Sequence, residues 1–177
     1  MLKWFNNKGA KVIEITLKMK IDVENFNLVY QWLKENNPNF SPDGKTLATA
    51  GGDRVIKLWD VESGKEIEAL EGHRNLVFDL AFNSDGTELL SASWDGSMGY
   101  WDLNSGEYYL KDLGGDSPYK VDFSPNDLYL ISGDVRSNLT FWEADAVERF
   151  RTLVGNIDIV GDFTFSPSSK QIATASW

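Results

Sequence analysis

Phe40-Ser41-Pro42-Asp43-Gly44 returns as Phe82-Asn83-Ser84-Asp85-Gly86, as Phe123-Ser124-Pro125-Asn126-Asp127 and as Phe165-Ser166-Pro167-Ser168-Ser169. The leading Phe recurs after 42, 41 and 42 residues, and an independent series, Trp59, Trp101 and Trp142, recurs after 42 and 41. Two markers keeping one period identify a repeat array, in which each unit is one supersecondary element that cannot bury its own apolar face. The second unit is the most legible. Val77–Phe82 runs into the turn signal Asp85-Gly86, Glu88–Ser93 into Asp95-Gly96, and Met98–Asp102 into a loop holding Ser105-Gly106, after which Glu107–Leu110 follows. Strand and tight turn alternate, so each repeat is expected to be a four-stranded antiparallel blade. Such sheets bury both faces only by stacking on one another around an axis.

Composition agrees with a folded, strand-rich chain. Of 177 residues 42% are hydrophobic and 13% aromatic, with seven Trp to fill a core between short strands. Cysteine is absent, which excludes disulfides and thiolate metal sites. The net charge is −10, and because residues 1–22 carry five Lys against Glu14 and Asp22, the remainder stands at −13. That balance argues against a nucleic-acid partner. No apolar run has the length of a membrane span and Met1–Asn7 lacks a signal-peptide core, so a soluble, cytoplasmic chain is expected.

The stretch Phe40–Ala50, with Asp53 and Ile56-Lys57-Leu58-Trp59-Asp60, resembles a near-consensus WD40 repeat, and the second unit adds Gly72-His73, Asp95 and Trp101-Asp102. The resemblance covers residues 40–177 and, more weakly, 1–22. It implies an all-β fold: a partial, open-arc WD40-type β-propeller of four-stranded antiparallel blades, with a short N-terminal helix insertion. The expected organisation is an outer-strand tail over 1–22, a helical insertion over 23–38, WD repeats over 39–70, 71–112 and 113–153, and a truncated repeat over 154–177. By resemblance, His73, Ser91 (or Ser93), Asp95 and Trp101 form a structural hydrogen-bond network in the second blade. A buried imidazole needs both nitrogens satisfied, and these partners supply an acceptor and donors. The other repeats lack the set: Asn156 stands where the fourth would want His, the third offers Gly114-Gly115, and Val135 takes the place of the turn Asp.

A Ser, a His and an Asp in one repeat also suggest a hydrolase, but no Gly-x-Ser-x-Gly elbow is present. His73 is the only histidine, so a histidine-rich metal centre is excluded, and no cofactor is expected. Gly51-Gly52-Asp53 and Gly114-Gly115-Asp116 join strands rather than opening helices and read as turns, not phosphate loops. Asn138-Leu139-Thr140 matches a glycosylation acceptor but falls in an expected third strand.

In the family, residues opening the innermost strand and preceding the turn Asp ring the narrow top face. Here these are Leu76, Phe78 and Trp94, then Ser117 and Tyr119, then Ile159 and Trp177. They either contact a protein or peptide partner or pad the packing between blades. The implied function is a non-catalytic protein–protein interaction scaffold. The alternatives are a regulatory segment of a larger enzyme or signalling protein, and a truncated product without independent function.

The N-terminus departs from the pattern. Residues 12–21 alternate as a long strand, Val23, Phe26, Val29, Tyr30 and Leu33 fall at helical spacing, and Pro38 interrupts an expected innermost strand. Matching Trp177 to Trp94 and Trp4 to Trp101 makes the chain nearly four repeats in circular order. A fragment of a larger ring is expected, with self-association through open blade edges as a hazard; a tight four-blade ring and a closing dimer are the alternatives.

Overall fold

The computed structural model describes residues 39–114, 117–144, 148–154 and 160–176. The expected strand over 12–21, the helix over 23–38, Pro38, Trp4, Asn156, Ile159 and Trp177 lie outside them.

All regular structure in the described residues is β. The first sheet runs β1 (Asn39–Phe40), β2 (Thr46–Thr49), β3 (Ile56–Asp60) and β4 (Glu66–Leu70), each paired antiparallel with the next. The second repeats the order with β5 (Val77–Phe82), β6 (Glu88–Ser93), β7 (Ser97–Asp102) and β8 (Tyr108–Asp112). The third holds β9 (Pro118–Phe123), β10 (Tyr129–Asp134), β11 (Asn138–Glu143) and β12 (Glu148–Val154). A two-stranded sheet follows, β13 (Val160–Phe165) with β14 (Ile172–Ser176). This is an all-β, open propeller-like series of antiparallel blades. No helix of the described residues is long and apolar enough to cross a membrane.

The repeated motif makes the first turn of each sheet. The residue after Phe bridges the hairpin: Ser41 Oγ accepts from the Thr46 amide at 2.9 Å, Asn83 Oδ1 from Glu88 at 3.0 Å, Ser124 Oγ from Tyr129 at 3.0 Å and Ser166 Oγ from Gln171 at 3.1 Å. The fifth residue of the motif turns with positive φ, a conformation glycine adopts without steric cost, and Gly44 and Gly86 serve in the first two repeats. Asp127 and Ser169 take the same conformation in the others, at φ 54° and 58°. Asp127 offsets that strain by accepting hydrogen bonds from the Ser84 amide and hydroxyl, tying the third sheet to the second.

Three apolar clusters hold the sheets together, each spanning one pair of neighbours. Ala48, Ile56 and Leu58 meet Leu80, Leu89 and Trp101; Leu90, Ala92 and Met98 meet Val121, Leu130 and Trp142; Ile131 and Leu139 meet Phe163 and Phe165. Leu89 and Leu90 show the logic. Successive strand residues point to opposite faces, so one joins the cluster shared with the first sheet and the other the cluster shared with the third. A strand packed on both faces is buried residue after residue, and Leu89–Ser93 is buried throughout, with the Ser91 and Ser93 hydroxyls hydrogen-bonded.

Candidate functional site

Two constellations lie in and around the second sheet, one buried and one on the rim. The buried one begins at Trp101, whose indole N–H donates to Ser91 Oγ at 2.8 Å. Ser91 Oγ lies 2.7 Å from His73 Nε2, and His73 Nδ1 lies 2.9 Å from Asp95 Oδ2. One tautomer satisfies the whole chain: Nδ1–H donates to the carboxylate, Nε2 accepts the Ser91 hydroxyl proton, and Ser91 accepts from the indole. The His73 side chain is 0% exposed and that of Asp95 6%. Asp95 Oδ2 also accepts the Arg74 amide at 2.8 Å and Oδ1 that of Ser97 at 2.9 Å. Ser93, the alternative to Ser91, instead donates to the Asn75 carbonyl at 3.1 Å.

Indole-to-hydroxyl bonds recur without the histidine. Trp59 Nε1 donates to Thr49 Oγ1 at 2.9 Å and Trp142 Nε1 to Ser132 Oγ at 3.0 Å. What distinguishes the second sheet, besides His73, is a glycine that sequence reasoning missed. Gly99 faces Ser91 where Lys57 faces Thr49 and Thr140 faces Ser132. A Cβ on Gly99 would stand 2.3 Å from Ser91 Oγ, 2.7 Å from Trp101 Nε1 and 3.0 Å from His73 Nε2. The legible signal was a glycine in the middle of a strand, which marks close approach of another group.

Burial holds His73 below the ordinary imidazole value, outweighing the opposing pull of Asp95. For Asp95 burial acts to raise the carboxyl, but hydrogen bonds from Ser97, the Arg74 amide and His73, with the His73 charge, prevail and lower it to about 2. The neutral imidazole is thus a fixed hydrogen-bonding unit at neutral pH.

The rim is built by β-bulges. Register shifts leave Phe78 unpaired between Val77 and Asp79, and Tyr119 unpaired opposite the Gly133/Asp134 step. A bulge re-aims the side chain of its extra residue. Phe78 meets Trp94 edge-on at 5.2 Å between centroids and Tyr119 at 5.4 Å. Trp94 is 55% exposed, while Phe78 and Tyr119 are partly buried. Leu76 lies against Gly52 and its carbonyl accepts the Trp94 amide; the Ser117 carbonyl accepts that of Val135 at 3.3 Å. The structure thus brings Leu76, Phe78, Trp94 and Tyr119 together across two sheets.

The turn register also corrects one expectation. The i to i+3 bonds close Gly51–Arg54, Ser93–Gly96 and Asp134–Ser137, so Arg136, not Val135, stands opposite Asp53 and Asp95. Asp134 compensates from its own position, accepting from the Arg136 and Asn138 amides at 2.8 and 3.0 Å.

Along the innermost strands, Lys120 Nζ lies 3.1 Å from Asp162 and 3.9 Å from Asp79, linking β5, β9 and β13. Asp122, on β9, is partly buried, and desolvation pushes its carboxyl up to about 6, with Lys120 only partly compensating. Among the described residues no group of three or more His, Asp or Glu could hold a metal ion. A folded value above the unfolded one means that the ionised Asp122 opposes folding above about pH 6 and is relieved as pH falls. We expect Asp122→Asn to stabilise the fold at pH 7 by about 1–2 kcal/mol, below the full ~3 because water reaches the group. The gain should shrink as pH falls through about 6 toward 3.8. Chemical denaturation across that range reads it, and a pH-independent difference would refute the assignment.

Comparison with known proteins places these features. The family described as "WD domain, G-beta repeat" matches residues 36–60 and 64–102. Dynein assembly factor with WD repeat domains 1 of Danio rerio is 46% identical over 48 residues, 27% of this chain and 12% of that protein. The general transcriptional corepressor TUP1 of Saccharomyces cerevisiae is 46% identical over 43 residues, 24% of this chain and 6% of that protein. Protein hir-1 of Neurospora crassa aligns more broadly, 26% identical over 77% of this chain, but across 16% of its own length. The chain therefore matches under a fifth of the length of each of these relatives. With the 41–42-residue period, the four-stranded sheets and the indole-to-hydroxyl bond in each, these matches show WD40 repeats over residues 36–60 and 64–102 and support a WD40-repeat family for the chain.

Proposed function

We propose that this chain is a non-catalytic protein-interaction scaffold, with a partner segment seated on the rim formed by Leu76, Phe78, Trp94 and Tyr119. The observation that carries the reading is the exposed Trp94, packed edge-on against Phe78, which in turn meets Tyr119 on the adjacent bulge. A large aromatic fixed in place before contact buries much area at low entropic cost, the pattern of an interface hot spot. Ile159 and Trp177 belong to the same proposed face by their place in the repeat. Two of the relatives named above are a dynein assembly factor and a general transcriptional corepressor.

The buried network speaks against catalysis. Ser91 is 0% exposed and its oxygen already accepts the Trp101 indole proton, while both His73 nitrogens are engaged. A hydrolytic nucleophile needs an accessible hydroxyl and an oxyanion site beside it.

The test is Phe78→Ala with Trp94→Ala in a capture experiment from cell lysate. We expect a set of captured proteins to weaken by about tenfold or more, as for hot-spot truncation, with the melting temperature within a few degrees of the parent. Capture unchanged by both substitutions would remove the rim as the site.

A further inference from the structure

Two arginines near the rim have no carboxylate within ion-pair distance among the described residues. Arg54 sits in the turn between β2 and β3, where its amide donates to the Gly51 carbonyl, and the same carbonyl accepts the Val77 amide at the start of β5. Arg74 lies on the approach to β5, its amide held by Asp95 immediately after Trp94. Asn75 and Leu76 then bond the Trp94 backbone. Both arginines are thus tied by backbone contacts to the segment bearing Phe78 and Trp94, and both are exposed. Among the described residues no carboxylate lies within ion-pair distance of either guanidinium. The nearby turn carboxylates are committed elsewhere: Asp53 pairs with Lys57 at 4.0 Å, and Asp95 is buried against His73. In a chain of net charge −10, two exposed arginines without an ion-paired carboxylate, tied by the backbone to the segment that bears the exposed Trp94, are a local concentration of unpaired positive charge.

The backbone at Arg54 adds a second argument. Arg54, Gly96 and Ser137 close the same turn in successive sheets and all have positive φ, 70°, 87° and 69°. Gly96 meets that geometry without strain, whereas a long side chain in the left-handed region is disfavoured. Strained positions of this kind cluster where the side chain has work to do.

We propose that the Arg54–Arg74 rim binds an acidic peptide segment, with aspartate or glutamate carboxylates on the two guanidiniums and an apolar side chain on Trp94 and Phe78. The inference rests on the scaffold reading and supplies the chemistry of its partner. Planar guanidiniums match carboxylates in paired hydrogen bonds, and the aromatic cluster provides the apolar anchor. Nucleic acid would offer the same negative charge but meets an acidic body around a two-residue cationic strip.

Fluorescence anisotropy on the 177-residue chain tests it with three labelled probes: a short peptide of glutamates around a central leucine, its glutamine counterpart, and an oligothymidylate of matching charge. The glutamate peptide should bind at least about tenfold more tightly than either other probe. Arg54→Gly with Arg74→Ala should weaken it by about tenfold or more, and added salt should do the same. Arg54→Gly alone should melt at or above the parent temperature, so loss of binding there is not loss of folding. Absence of glutamate-peptide binding, equal binding of either other probe, or indifference to the arginine substitutions overturns the proposal. If the glutamine peptide binds equally well yet is lost in Phe78→Ala/Trp94→Ala, the acidic chemistry fails while the scaffold reading stands. If the aromatic substitutions leave capture from lysate unchanged, that reading fails too.

Discussion

Gly99→Ala is expected to be the most damaging single-methyl change in the described structure, costing about 3 kcal/mol or more. The new Cβ would lie 2.3 Å from Ser91 Oγ and 2.7 Å from Trp101 Nε1. Neither neighbour is the loose end of a flexible chain. Ser91 is fully buried and bonded to both His73 and Trp101, and Trp101 is packed in the cluster shared with the first sheet and stacked on Tyr108 at 4.8 Å. Relief therefore requires breaking the hydrogen-bonded chain or spreading β6 from β7. For a protein of this length the melting temperature should fall by roughly 6–12 °C. Thr140→Ala, at the matching position of the third sheet, removes a side chain instead of adding one and should cost about 1 kcal/mol. Equal melting of Gly99→Ala and the parent would mean that the network is not close-packed.

His73→Ala should cost about 2–4 kcal/mol at pH 7, because it leaves the Asp95 carboxylate and the Ser91 hydroxyl buried without their partner. Its signature lies in the pH dependence. Burial depresses the folded-state imidazole below 6.5, so the neutral ring contributes its full stability above 6.5. That contribution is lost as pH falls from 6.5 toward the lower folded value, since the unfolded chain takes up the proton first. Asp95 behaves likewise lower down: its contribution is complete above 3.8 and disappears as pH falls toward 2. Asp122 has the opposite sign in the upper window, so the comparison is best made in the Asp122→Asn background. There, stability should decline below pH 6.5 in the presence of His73 and stay nearly level to about pH 5 in its absence. Parallel pH profiles would show that the imidazole is not the titrating group.

Legibility in the sequence followed the range of the interaction. The 41–42-residue period, the Phe-Ser-Pro-Asp-Gly hairpins and the strand segment Glu88–Ser93 before its Asp95-Gly96 turn are legible along the chain, and they suffice for strand order and for antiparallel sheets. His73, Ser91, Asp95 and Trp101 were nameable because the family motif places them at set intervals, and hydrogen-bond distances now join them in one chain. Gly99 was not singled out, since its importance is a distance to three side chains, Trp101 on its own strand, Ser91 on β6 and His73 in a loop. The turn of the third sheet was misread by one residue, Val135 for Arg136, because Asp134 performs the capping and blurs the alignment.

By itself, then, the sequence determined the repeat and the blade, because period-two strands and turn residues act through neighbours along the chain, while the hydrogen-bonding residues followed from the family resemblance. Only the tertiary structure decided where the bulges fall, and with them that Phe78 and Tyr119 meet across two sheets beside Trp94. It alone revealed that Asp53 is engaged by Lys57 and Asp95 by His73 while Arg54 and Arg74 face solvent. Register shifts and charge pairing between turns depend on which strands lie side by side, and that is settled when the sheets stack to bury Leu89 on one face and Leu90 on the other.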